Sequence, residues 1–307
     1  MTVGLQHDAL IYESDAEFVD ALAPFVREGL ERGEQVLAVT TPANQANLAR
    51  SLGSRADDVR FIDSQQWYQT PARTIAAYHS AINDGLKSGA NRLRVIGEVD
   101  FGTTEIEHAE WTRYESVLNV AFGPRPAWIV CPYDVRRLPD RIIDDARRTH
   151  PHAIAGGERL PVEQFTDPAH FAGALPLPTP DRLLGQVEHD GRLRTVLQLV
   201  EHTCGQVGLT GEQVTDLNLA VGELATNAME HGVPPVQVRA FSGKDSLVYE
   251  ISDAGEGPTD PWVGFVPPQP NQIRGRGLWL ARQLADRVEI ASTPRGTSAR
   301  VEVRLPR

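Results

Sequence analysis

Asp216-Leu217-Asn218-Leu219-Ala220-Val221-Gly222-Glu223-Leu224-Ala225-Thr226-Asn227-Ala228-Met229-Glu230-His231-Gly232 reads as a helix that carries polar residues where a plain core helix would not. At about 100° per residue, Glu223, Asn227, Glu230 and His231 fall within one quadrant, and Leu217, Ala220, Val221, Leu224 and Ala228 cover the adjoining one. A polar stripe thus borders a buried stripe. Thr210-Gly211-Glu212-Gln213 has capping-box spacing, which predicts where the helix starts, and Gly232 followed by Pro234 and Pro235 predicts its stop. Taken alone, the segment also fits an ordinary amphipathic helix whose Asn and Glu meet water.

Two downstream loops narrow the reading. Leu247, Tyr249 and Ile251 alternate as one apolar face of a strand, so Asp253 continues toward the same buried side. A carboxylate there is costly unless something hydrogen-bonds it. It opens Asp253-Ala254-Gly255-Glu256-Gly257, whose glycines let backbone approach a flat ligand. Arg274-Gly275-Arg276-Gly277-Leu278 then opens another helix, where backbone amides are suited to holding phosphate. Between the two loops, Pro258, Pro261, Pro267, Pro268 and Pro270 predict a non-helical cover.

Glu-Leu-x-x-Asn-Ala-x-x-His, Asp-x-Gly-x-Gly, Gly-x-Gly-Leu and Gly296-Thr297, in that order, resemble the N, G1, G2 and terminal boxes of the GHKL ATPase superfamily. The short form without a phosphoacceptor helix pair is similar to the anti-sigma-factor serine/threonine kinases of bacteria, over residues 181 to 307. The resemblance implies an α/β sandwich of the Bergerat type that binds ATP and Mg²⁺. Asn227 would coordinate the magnesium, Asp253 would accept from the adenine amino group, and Glu223 would be the general base. Gly255, Gly257, Gly275, Gly277, Leu278 and Thr297 would complete the nucleotide site. One lid glycine of the family pattern is absent, since Ile273 precedes Arg274; Arg274 and Arg276 are cationic candidates for phosphate contact. His231 is read as a helix-end residue.

The remaining chain predicts a second α/β domain. Its 307 residues suit two domains. Residues 1 to 150 alternate strands and helices, with strands at Ala9 to Tyr12, Gln35 to Thr40, Arg60 to Asp63, Arg92 to Gly97 and Ala127 to Cys131, which predicts a mostly parallel sheet. The first strand-to-helix turn, Tyr12-Glu13-Ser14-Asp15-Ala16-Glu17, holds three carboxylates and no glycine and would repel phosphate. His7 before Ile11-Tyr12-Glu13-Ser14, the Glu28-to-Glu34 turn, Val95 to Phe101 and Cys131-Pro132-Tyr133-Asp134 resemble the MEDS sensory domain, a RecA-like fold without a phosphate loop. That resemblance implies a small sensed ligand of unknown identity. His7, Tyr12, Glu98, Asp100, Cys131 and Tyr133 are the candidates to line its site, because open α/β sheets bind ligands at strand ends. His7, Glu98 and Cys131 are also metal-ligand types, but no paired spacing joins them, and Cys131 reads better as a small buried apolar residue. Residues 151 to 180, rich in proline with Gly156, Gly157 and Gly173, predict a connector.

Composition bounds the partners. Forty-one acidic against 30 basic residues give a net charge of −11 without a basic cluster, which argues against direct nucleic-acid binding. Two cysteines, Cys131 and Cys204, make no disulfide framework. No leader or 18-residue apolar run is visible, so a cytoplasmic, non-membrane protein is expected. The reading as a whole is a signalling regulator whose partner is a sigma factor, an antagonist protein phosphorylated on Ser or Thr, or both. A non-catalytic, nucleotide-dependent binding module is the alternative, and an atypical histidine kinase is disfavoured because no phosphoacceptor hairpin precedes the ATPase boxes.

Overall fold

The structure is a computed structural model and describes residues 4–173, 175, 181–188, 191–268 and 275–305. The chain divides into two compact units, Met1–Ala172 and Gly173–Arg307.

In the first unit, strands Gln6–Tyr12 (β1), Gln35–Thr40 (β2), Arg60–Asp63 (β3), Leu93–Gly97 (β4), Ala127–Asp134 (β5), His152–Ala155 (β6) and Glu158–Pro161 (β7) form one sheet. Their order is β3-β2-β4-β5-β1-β6-β7. Strands β3 to β6 pair in parallel along that order, and β7 returns antiparallel to β6. Helices Asp15–Glu31 (α1), Pro42–Leu52 (α2), Ser64–Trp67 (α3), Pro71–Lys87 (α4), Glu105–Ala121 (α5) and Asp140–Thr149 (α6) connect the strands. The near-continuous apolar runs of β2 and β4 follow from this, since a parallel sheet is covered on both faces.

Local chemistry sets the starts of these helices. Thr104 caps α5 in a full capping box with Glu107. Ser14 caps α1 by accepting from Glu17 N, and Glu17 Oε2 takes the Glu13 amide at 2.8 Å. The acidic turn after β1 thus fills the helix N-terminus with its own carboxylate, where a nucleotide-binding fold would hold phosphate. The Glu28-to-Glu34 turn has a structural task. It surrounds Arg94, fully buried on β4, which donates to Glu34, to Glu28 (2.9 Å) and to the Phe25 carbonyl (2.7 Å) between the rings of Phe25 and Trp128. Gly29 leaves room for that side chain, because a Cβ there would lie 2.6 Å from Arg94 Cδ.

The expected connector of residues 151 to 180 is structured over its first part. β6 adds to β1 at Asp8 and Ala9, and Ser116 Oγ donates to the Pro168 carbonyl at 3.2 Å. Prolines and glycines there mark a hairpin turn and an edge, a use that composition alone does not separate from a linker.

In the second unit, Arg182–Glu188 (β8), Gln237–Ser242 (β9), Ser246–Asp253 (β10), Arg287–Thr293 (β11) and Gly296–Arg304 (β12) form an antiparallel sheet in the order β11-β12-β10-β9-β8. Leu193–Gln206 (α7), Glu212–His231 (α8) and Gly277–Leu284 (α9) supply helices. Val196, Val200, Leu217, Val221, Leu224 and Ala281 meet Val238, Tyr249, Ile251 and Val301 in one core. The other sheet face carries the cross-strand trio Arg239, Glu250 and Arg300, with Arg300 Nε 2.6 Å from Glu250 Oε2. The predicted capping box at Thr210 does not form: α8 begins at Glu212 with Gly211 as its cap at φ +61°, and no side chain caps it. His189, Asp190, Pro270, Ile273 and Arg274 lie outside the described residues.

Candidate functional site

Three segments converge at one end of the second unit. Asp253 ends β10, opposite Thr297 on β12. Its Oδ1 accepts from the Gly255 amide (2.7 Å) and the Val233 amide (3.2 Å), so one carboxylate oxygen is fixed by backbone. The other oxygen has no partner among the described residues. Thr297 Oγ1 donates to the Gly255 carbonyl at 2.9 Å and ties the loop to β12. The glycines make this closeness possible. A Cβ at Gly232 would meet Asp253 Cγ at 2.5 Å, and one at Gly255 would meet Asp253 Oδ1 at 2.7 Å.

The result is a cavity of about 310 Å³. Asn227, Asp253, Gly257, Gly275, Leu278 and Thr297 line it, and His231 joins them beside an otherwise apolar wall of Leu224, Ile251, Val263 and Ile290. An apolar slot with few polar groups suits a flat aromatic ligand. Glu223, Gly255, Arg276 and Gly277 border this set without lining the cavity. Glu223 packs against Gly277, where a Cβ would lie 2.3 Å from its Oε2. Part of the proline-rich cover packs on α9: Trp262 and Phe265 are buried, and Arg282 lies over the Phe265 ring at 3.9 Å.

The donor set fits the implied groups. The side chain of half-buried Asn227 has no hydrogen-bond partner among the described residues, so its amide oxygen remains available to a hard cation, which prefers oxygen. Asp253 leaves one oxygen for an exocyclic amine.

The first unit has its own cavity, of about 430 Å³, at the C-terminal ends of β2, β4 and β5. Glu98, Asp100, Phe101 and Asp134 line it, which is where an open parallel sheet holds ligands. Asn44 donates to Glu98 Oε2 (3.0 Å) and to Tyr12 Oη (3.2 Å), and the Thr41 amide reaches Glu98 at 3.1 Å. Burial, with Glu98 nearby, pushes the Tyr12 hydroxyl above its ordinary range. A hydrogen bond from Arg136 holds the Asp134 carboxyl below the usual carboxylate range.

The six sensor candidates therefore separate. Glu98 and Asp100 reach the cavity, and Tyr12 sits behind Glu98. His7, Cys131 and Tyr133 do not line it. His7 is the second residue of β1, at its N-terminal start, and Cys131 lies inside β5, which runs on to Asp134, so neither sits at a C-terminal strand end. They meet each other, with Cys131 Sγ 3.5 Å from His7 Nε2, and Glu98 takes no part. Two residues absent from the sequence reading, Glu115 and His150, complete that group.

Comparison with known proteins respects the same division. Residues 6–151 match the family model of MEDS, the MEthanogen/methylotroph, DcmR Sensory domain, and residues 187–303 match that of the histidine kinase-like ATPase domain. The chain thus joins an N-terminal MEDS sensory domain to a C-terminal histidine kinase-like ATPase domain that resembles anti-sigma factors. Over 152 residues, 47% of this chain, it is 26% identical to the transcriptional repressor DcmR of Methylorubrum extorquens; the match spans 57% of that repressor. Over 127 residues, 38% of this chain, it is 27% identical to an anti-sigma F factor of Thermoanaerobacter sp., 87% of which is covered. A solved structure of RsbU and RsbW domains from Mycobacterium tuberculosis aligns at 20% identity over 41% of this chain and 32% of that one, with a TM-score of 0.30. No helix among the described residues is long and apolar enough to cross a membrane.

Proposed function

We propose that the second unit binds Mg-ATP in its cavity and that the chain is a signalling regulator of the anti-sigma-factor kind. It binds a sigma factor, phosphorylates a Ser or Thr of an antagonist protein, or does both, under the control of the first unit. The observation that carries this reading is Asp253: one oxygen is anchored by two backbone amides and the other is left for a donor in an apolar slot. Such a site accepts from the adenine amino group, and Asn227 offers oxygen to Mg²⁺ at the same cavity. When bound, Mg-ATP supplies a phosphoryl group whose charge is partly neutralised, so transfer needs positioning more than covalent help. Glu223, one turn before Asn227 on the same helix face, would take the proton of the incoming hydroxyl.

The position of Glu223 against Gly277 also supports a second reading, in which this carboxylate braces the start of α9 and the chain binds its partner without catalysis. One set of variants separates the two. Titration of Mg-ATP into the wild-type chain should give binding that Asn227→Ala and Asp253→Ala abolish. Glu223→Gln should keep that binding and lower transfer about 100-fold or more if the carboxylate is the base. Equal loss of binding and transfer in Glu223→Gln would assign it the bracing role.

A further inference from the structure

Behind the cavity of the first unit, His7 on β1, Glu115 on α5, Cys131 on β5 and His150 just after α6 bring one ligating atom each to a common point, all within 4.8 Å of one another. None is more than 2% exposed. The hydrogen bonds around the cluster fix which atoms face inward. Asn119 Nδ2 donates to the Thr149 carbonyl at 2.8 Å, which leaves its Oδ1 to accept from His7 Nδ1 at 3.1 Å. His150 Nδ1 donates to the Ala146 carbonyl at 2.9 Å. Both imidazoles are thereby set as the tautomer whose Nε2 lone pair points into the cluster.

Inside the group stand two nitrogen lone pairs, a carboxylate and a sulfur. His7 Nε2 lies 3.2 Å and His150 Nε2 3.6 Å from Glu115 Oε2, and Cys131 Sγ lies 3.4 Å from that oxygen. His150 Nε2 is buried and makes no hydrogen bond among the described residues. Acceptors crowded together out of water, with one thiol proton to share, are unfavourable without a cation. Four of the six ligand separations, from 3.2 to 3.6 Å, are close to those around one. A tetrahedral ion with bonds of about 2.0 to 2.3 Å holds its ligands about 3.3 to 3.8 Å apart.

We propose that His7, Glu115, Cys131 and His150 bind a single divalent transition-metal ion of zinc's kind, in a closed four-ligand site. A mixed set of nitrogen, sulfur and oxygen donors suits a borderline-soft ion over magnesium or calcium. Four protein ligands and full burial leave no position for substrate, so the ion secures β1, α5, β5 and the end of α6 to one another. It also lies one aromatic layer behind the sensory cavity: Tyr133 is in ring contact with His150 (5.7 Å) and with the cavity residue Phe101 (5.8 Å). Asn119 and the Ala146 carbonyl orient the two histidines.

Metal content of the purified full chain should approach one equivalent of a transition metal. After chelation, Co²⁺ loading should produce visible ligand-field bands of a four-coordinate site and a near-ultraviolet thiolate-to-cobalt band. Cys131→Ser should remove that near-ultraviolet band. Asn119→Ala, which touches no metal, should weaken Co²⁺ binding about 10-fold to 100-fold. Absence of metal in the purified chain together with no uptake of Co²⁺ or Zn²⁺ by the stripped wild type would overturn the proposal without reliance on any variant. So would a thiolate band that persists in Cys131→Ser.

Discussion

At Gly296 the backbone takes φ +129°, and a Cβ there would stand 2.1 Å from the Asp253 carbonyl oxygen. Neither the torsion nor the clash with backbone can be relieved by moving a flexible side chain. Gly296→Ala should cost about 1 to 3 kcal/mol of stability, read as a lower melting temperature, and should weaken nucleotide binding through displaced Asp253. Gly277→Ala is a different case, because the atom it would meet is the mobile end of Glu223. Single residues were unevenly legible in the sequence. Asn227, Asp253, Gly257 and Thr297 stand in short ordered motifs, and the fold brings all four to one cavity, as the proposed nucleotide site requires. Glu115 and His150 have no such signature. They come from α5 and the end of α6, and tertiary packing alone brings them to His7, more than a hundred positions away, so no local spacing foretells that meeting.

Among the elements, periodicity located α8 and the strands around it, because one sheet face meets the core and places apolar residues at every second position, strictly in β12 and at Leu247, Tyr249 and Ile251 in β10. Starts and edges were harder to read. Thr210 and Gln213 had the right spacing for a capping box, yet Gly211 at positive φ turns the chain into α8 without a side-chain cap. The hairpin of β6 and β7 was hidden because a four-residue edge strand leaves too short a pattern beside prolines and glycines. Its contribution can be measured. A fragment of residues 1–172 should unfold in one cooperative transition, whereas a fragment of residues 1–150 leaves the β1 edge unpaired and should self-associate. Equal solubility and equal melting temperature for the two fragments would remove the hairpin from the first unit's fold.

At the scale of the molecule, two sheets with separate cores and no strand in common among the described residues carry two different cavities. Length and the alternation of elements made that division legible, while the end of the first unit at Ala172 needed the structure. Ligand stabilisation should respect it: Mg-ADP at about a hundred times its Kd should stabilise the second unit by about 2.7 kcal/mol and leave the first unit's transition in place. A shift of both transitions by the same ligand would reveal a coupling free energy between the domains. In the proposed site, nucleotide recognition turns on the adenine amine that Asp253 would accept from. Its most direct measurement is a parallel calorimetric titration of the wild-type chain with Mg-ATP and with Mg-inosine triphosphate, which carries a carbonyl oxygen in place of the adenine amino group. Mg-ATP should bind, and the inosine nucleotide should bind about 100-fold more weakly, because two acceptors would then face each other in an apolar slot. Equal affinity for the two nucleotides, or no binding of Mg-ATP, would contradict the role given to Asp253 and with it the nucleotide site.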